Sequence, residues 1–158
     1  MAPPREIRGL ACDEPFRTAA GKVIWTRFSE MMSFGDVALA GKDIEGVHDM
    51  RVGSRRLRAA LELFRDVFPR KQLAPMLAEV KRLADSLGEV RDLDVMIERL
   101  RDDIKDRPRS QALVLREMLS EAREKRELCR EELKETIERL EREDFPRRFS
   151  AFVAKSTT

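Results

Sequence analysis

Apolar residues recur three and four positions apart along most of the chain, which is the spacing of one face of an α-helix. Glycine, proline and polar residues interrupt this pattern at residues 41–42, after Phe68 and at residues 106–108. The pattern therefore predicts four long helices. They are expected at residues 13–40, at 43–68, at 72–104 and from residue 109 until shortly before Pro146.

Long helices joined by short connectors favour an antiparallel four-helix bundle, because each helix can pack on its sequence neighbour. We expect a tail at residues 1–12, the bundle at 13–144, and a C-terminal segment at 145–158 that forms a short fifth helix or caps the bundle. Asp13 and Asp43 are candidate N-caps of the first two helices. The residues predicted to form the core are Met50, Leu57, Leu61, Phe64, Leu83, Leu87, Leu119 and Leu133.

The composition favours an all-α fold, since 39% of the residues are charged, 42% are apolar and none is tyrosine. A length of 158 residues suits one domain and is too short for two ordinary ones. The charges nearly cancel, to a formal net charge of +2, so the molecule is not a bulk polycation that coats nucleic acid. Any anion site must therefore come from local clustering of charge.

The two cysteines, Cys12 and Cys129, give neither a metal-ligand spacing nor a disulfide framework, which fits a reducing compartment. The N-terminus lacks the apolar run of a signal peptide, and no stretch approaches the roughly 18 apolar residues that a membrane span needs. We therefore expect a cytoplasmic protein with no membrane partner and no cofactor.

One stripe of the second predicted helix carries residues that can bear positive charge. With His48 at 0° on a helical wheel, the arginines fall at about 340° (Arg55), 300° (Arg51) and 280° (Arg58). The apolar residues of this helix fall at about 160–220°, so one face packs while another presents cations. Arginine forks spaced along a line fit repeated phosphates, which makes a linear polyanion the natural ligand. The alternative interpretation is an ordinary solvated helix face.

His48 is the only histidine in the chain, which excludes a metal site built from several histidines. A lone histidine is usually structural, and we expect no metal. Because the three arginines of the stripe disfavour protonation of His48, a bound polyanion would favour its charged form. His48 is therefore a candidate for a proton site linked to ligand binding.

Further cations lie near the apolar faces of the third and fourth predicted helices. Arg91 falls near the middle of an apolar stripe, where either Asp92 or Asp94 neutralises it or a ligand contacts it. The fourth helix carries three more such cations, Arg123, Arg126 and Arg130. They form either an interior cationic lining or part of a solvated ion-pair face.

Two stretches resemble the signatures of the CHAD family, the conserved histidine α-helical domain. Residues 47–61 read VHDMRVGSRRLRAAL, and residues 80–95 read VKRLADSLGEVRDLDV. The resemblance covers about the first 140 residues and implies a helical bundle that binds inorganic polyphosphate along a basic groove or pore. It also implies that Arg56 and the group of Arg91, Asp92 and Asp94 hold helices together. Carried over by position, the binding role falls on His48, Arg51, Arg55, Arg58 and Lys81.

Members of that family usually contain two related four-helix halves, and only the first half is recognisable here. The chain is therefore either a fragment or a half-length member that completes its groove by pairing with another copy as a homodimer. The family often accompanies a triphosphate-processing CYTH domain, whose Glu-x-Glu-x-Lys motif does not occur. We expect a non-catalytic binding module, associated with polyphosphate granules, rather than an enzyme.

Two other functions remain open. A metal-dependent phosphohydrolase would use His48 together with Asp92 and Asp94, although metal-assisted phosphoryl chemistry needs carboxylates that converge. A nucleic-acid binder would use the basic helix, but the stripe carries no aromatic residue on which bases could stack. Nucleic acid is therefore the less favoured partner.

Overall fold

The computed structural model describes residues 3–41 and 44–157, with side chains as far as Lys155. This described part contains six α-helices and no β-strand, which confirms the predicted all-α class. A 3-10 turn at Arg65–Val67 joins the third helix to the fourth. The helices are α1 (Phe16–Met32), α2 (Gly35–Ala40), α3 (Glu45–Leu63), α4 (Arg70–Lys105), α5 (Arg109–Arg142) and α6 (Phe145–Thr157).

The first predicted helix is divided into two, which is why the structure has more helices than the sequence predicts. Residues 33 and 34 form a turn between α1 and α2. There the hydroxyl of Ser33 donates a hydrogen bond of 2.8 Å to the carbonyl oxygen of Glu30, a local bond that competes with regular helix. α2 then ends at Gly41, whose φ of +58° is the left-handed conformation that glycine adopts readily after a helix.

The outcome differs for the two predicted N-caps, Asp13 and Asp43. α1 begins after Pro15 and no side chain caps it, so the prediction that Asp13 caps the first helix is wrong. Asp43 lies outside the described residues. The N-cap position of α3 is occupied by Ile44, which offers no capping side chain.

The helices enclose one main core. α3 packs against both α1 and α4, α4 packs along α5, and α6 lies against α1 and α5. Glu79 pairs with Arg139 and Asp94 pairs with Arg126, so residues later in α4 meet residues earlier in α5 and the two helices run antiparallel. Of the predicted core residues only Phe64 is half-buried. The others are buried: Met50, Leu57, Leu61, Leu83, Leu87, Leu119 and Leu133.

α6 closes the main core with aromatic side chains. Phe145 and Phe149 are fully buried, and the ring of Phe149 stacks on Phe28 of α1 with 4.1 Å between the centroids. Phe152 contacts Phe68 at a centroid distance of 4.8 Å. The C-terminal segment is therefore a helix, and it forms part of the core.

α4 and α5 extend beyond the other helices. α4 has 36 residues and α3 has 19, which correspond to about 54 Å and 28 Å at 1.5 Å per residue. The outer part of the α4–α5 pair has its own small core of buried residues, Ile97, Leu100, Leu119 and Ala122. Although these two helices are long, neither they nor any other described helix is apolar enough to cross a bilayer.

Candidate anion-binding site

The contacts of α3 with α1 fix the direction in which the basic stripe faces. Gly53 lies against α1, where an added Cβ would come within 2.9 Å of the Cα atom of Met31. Arg56 forms an ion pair of 2.5 Å with Glu30, a residue only 1% exposed that also pairs with Arg27 at 2.7 Å. Arg56 therefore holds α3 against α1, which confirms the role expected for it.

The other flank of α3 faces α4. The Nε atom of Arg51 lies 3.8 Å from the point that a Cβ on Gly88 would occupy, an ordinary contact distance, so this arginine lies against α4. The stripe therefore runs beside α4, and we call the surface between the two helices the α3–α4 groove. Because a short turn joins the two helices, they run antiparallel, and the contact at Gly88 sets their register. That register places Lys81 level with Arg58 along the groove.

Among the described residues, several cations of the stripe and of the facing side of α4 have no ion-pair partner. Within the described ranges, Arg51, Arg55 and Lys81 form no ion pair through their side chains. Arg58 is paired with Glu62 at 2.9 Å, and these two side chains are 45% and 53% exposed. An exposed pair four residues apart on a helix is worth only about 0.3–0.5 kcal/mol. An anion can therefore take the place of Glu62 at little cost.

His48 lies at the end of the stripe, close to the start of α3. It is half-buried, and its Nδ1 atom is buried without a hydrogen-bond partner among the residues described. Ligand atoms of Glu45, His48 and Asp49 lie within 4.8 Å of one another, a grouping that the i, i+3, i+4 spacing in the sequence could have indicated. The ligand set of His48 with Asp92 and Asp94 is not assembled, because an arginine of α5 engages Asp94.

Asp94 anchors α4 to α5. It is 2% exposed, and its Oδ1 atom accepts a hydrogen bond of 2.5 Å from Nε of Arg126. Burial makes the largest single contribution and lowers the pKa of Arg126, but the hydrogen bonds and charges of Asp94 and Glu127 together outweigh it and the pKa is raised. Of the two alternatives for Arg91, neutralisation by Asp92 or Asp94 is not found among the described residues, where Asp94 is bound by Arg126 and no ion pair joins Arg91 to Asp92. In the described part of the chain, Nη1 of Arg91 is buried without a partner.

The cations predicted to line the interior from α5 lie in three different environments. Arg126 is paired with Asp94, whereas Arg123 is exposed and lines a small cavity beside that carboxylate. Arg130 packs over Gly41, where an added Cβ would come within 1.6 Å of its Nη2 atom. Two of these residues, Arg123 and Arg126, line a cavity whose wall also includes Ile44 at the start of α3.

The chain belongs to the CHAD domain family, because the family model matches residues 22–158, which is most of its length. An uncharacterized protein of Mycobacterium tuberculosis, Rv2226, is 32% identical over 75 residues. This match covers 48% of the present chain and 15% of that relative. The family match thus confirms the resemblance of residues 47–61 and 80–95 to the CHAD signatures.

Proposed function

We propose that this CHAD domain binds inorganic polyphosphate, or a similar linear polyanion, along the groove between α3 and α4, and that it does not catalyse a reaction on it. CHAD domains are linked to polyphosphate binding in general. The observation that carries the proposal is that Arg51 lies against α4 at Gly88 and that Arg51, Arg55 and Lys81 form no ion pair among the described residues.

The local charge supports a highly charged ligand. Residues 51–71 contain seven cations and two anions, a local charge of +5 in a chain whose net charge is +2. Hydrogen bonds from arginine to phosphate are charge-assisted and contribute about 1.5–3 kcal/mol each before screening. Several such contacts in line give a repeating anion more affinity than a single anion of the same chemistry.

The proposal has two further parts. We also infer that the chain pairs with a second copy, so that two grooves are combined in a homodimer. Binding to polyphosphate would also place the protein at polyphosphate deposits. Nucleic acid suits the groove less well, because the stripe offers no aromatic side chain for base stacking.

A metal-dependent phosphohydrolase is the second candidate function, and the group of Glu45, His48 and Asp49 is the observation that favours it. One imidazole and two carboxylates suit Zn²⁺ or Mn²⁺. Two features oppose a cation there. The group lies at the N-terminus of α3, the positive end of the helix dipole, and Arg51 follows within one turn.

A competition experiment separates these functions. The full chain is titrated with a labelled polyphosphate of defined length, and unlabelled polyphosphate or single-stranded DNA of equal charge is then added. The proposal predicts displacement by polyphosphate at much lower concentration than by DNA. A parallel incubation with tripolyphosphate and Mg²⁺ or Mn²⁺ should release no phosphate. Equal displacement by DNA, or metal-dependent release of phosphate, would reject polyphosphate binding as the sole activity of this site.

A further inference from the structure

A cavity of about 330 Å³ lies where α3 begins, between α4 and α5. Ile44, the N-cap residue of α3, forms part of its wall. His48, the first residue of the basic stripe, lies about 6 Å further along the helix axis. The cavity is therefore close to one end of the proposed polyphosphate groove.

The cavity contains a buried carboxylate whose hydrogen bonding is incomplete. Asp94 is 2% exposed and lines the cavity. Its Oδ1 atom accepts a hydrogen bond from Arg126, but its Oδ2 atom is buried with no donor among the described residues. A buried carboxylate oxygen without a donor is unfavourable, so this position suits a ligand that donates a hydrogen bond.

The charges of the cavity wall are balanced, with three guanidinium groups and three carboxylates. Arg126 forms ion pairs with Asp94 and Glu127. Arg101 and Arg123 form no ion pair in the described part of the chain. A neutral lining does not attract a bare polyanion strongly. It suits a group that accepts hydrogen bonds from the two free arginines and donates one to Asp94. The charged residues are Asp94, Glu98, Arg101, Arg123, Arg126 and Glu127.

We propose that this cavity binds the terminal phosphate of a polyphosphate chain in its monoprotonated form. The P–OH group donates to Oδ2 of Asp94, and the unprotonated oxygens accept from Arg101 and Arg123. A terminal phosphate carries such a proton in mildly acidic solution, since the second ionisation of a phosphate monoester lies near pH 6. Interior phosphates, each bonded to two neighbours, carry no such proton. Asp94 would thus select chain ends, an inference that rests on the proposed polyphosphate binding.

The test compares tripolyphosphate, which has ends, with cyclic trimetaphosphate, which has none, by calorimetric titration of the full chain at pH 6. Wild type should prefer tripolyphosphate by about tenfold or more, the value of one charge-assisted hydrogen bond. Because the two ligands differ in charge, the decisive result is how variants change this preference. Arg123→Gln should reduce it at least fivefold. Arg116→Gln, an exposed arginine of the same helix outside the cavity, should leave it unchanged.

Asp94→Asn provides the second variant, since the amide presents a donor in place of the accepting oxygen. It should also reduce the preference, and circular dichroism checks that it folds. If it does not fold, Arg123→Gln decides the question alone. An unchanged preference in Arg123→Gln would overturn the inference.

Two further measurements distinguish chain-end recognition from the binding of free phosphate and from the proposed function itself. Free inorganic phosphate has the same P–OH chemistry, and it should displace tripolyphosphate only weakly because it lacks the chain that lies on α3. Displacement by free phosphate at equal concentration would reject chain-end recognition. Long polyphosphate is titrated in parallel. If long polyphosphate binds while wild type binds tripolyphosphate and trimetaphosphate equally well, only end recognition is refuted. If neither long polyphosphate nor tripolyphosphate binds, the proposed function is refuted as well.

Discussion

Replacing Arg55 with glutamate should weaken polyphosphate binding while leaving the fold intact. Arg55 lies on the stripe between Arg51 and Arg58, is exposed, and has no ion pair in the ranges the structure describes. It therefore reaches solvent along the α3–α4 groove and should contact the middle of a bound chain. The substitution removes one cation and adds one anion at that point.

The expected loss follows from two contributions. The lost charge-assisted hydrogen bond is worth about 1.5 kcal/mol, the low end of its range because the site is exposed, and this alone is roughly tenfold in affinity. Repulsion between the new carboxylate and a phosphate about 4 Å away adds up to about 1 kcal/mol in water. Binding should thus weaken at least about tenfold. An exposed position off the core should change the free energy of unfolding by only about 0.5 kcal/mol.

The assay is a fluorescence titration with polyphosphate of defined length at about 0.15 M salt, where distant charges are screened. Arg65→Glu is the matched control, because Arg65 is also an exposed arginine but lies in the 3-10 turn beyond α3. It should lose clearly less affinity than Arg55→Glu. If the two variants lose affinity equally and higher salt removes both losses together, binding follows diffuse charge and the groove is not a site.

Three further predictions concern the scaffold and the assembly. Glu30→Gln should lower the free energy of unfolding, measured in thermal melts, by about 1.5–3 kcal/mol, because two arginines lose a buried charged acceptor. The exposed control Glu62→Gln should change it by less than about 0.5 kcal/mol. The hydrogen bond from Arg139 lowers the pKa of Glu79 below its ordinary 4.5, so this stabilisation is present above that pH and is lost as the pH falls through the lowered pKa. Acid unfolding of Glu79→Gln should accordingly show a shallower pH dependence than wild type, and an identical dependence would contradict the assignment. The chain should form dimers in light scattering at high concentration, and a monomer that still binds polyphosphate tightly would refute the expectation of a paired groove.

The long helices could be predicted from the sequence because their apolar positions repeat in phase over many turns. The division of the first helix could not, since the apolar spacing continues past Ser33 into α2. The lateral alignment of the basic stripe was also predictable, because a helical wheel depends only on the geometry of one helix.

Pairing between helices is the part that the sequence did not reveal. Local spacing leaves either a carboxylate of the same helix or a ligand as the partner of Arg91, and it gives no sign that Asp94 is bound by Arg126, a residue 32 positions later. Which helix faces which, and in what register, depends on packing of the whole core rather than on local spacing. The cavity beside Asp94 is lined by residues of three helices, so it could not be predicted from the sequence for the same reason.

Calorimetric titration with polyphosphates of increasing defined length shows whether a linear polyphosphate binds in a defined groove. We expect saturable binding at about 0.15 M salt, with affinity that rises with length until the chain spans the stripe and then levels off for each site. Absence of binding, or affinity that vanishes at this ionic strength for every length, would contradict the claim.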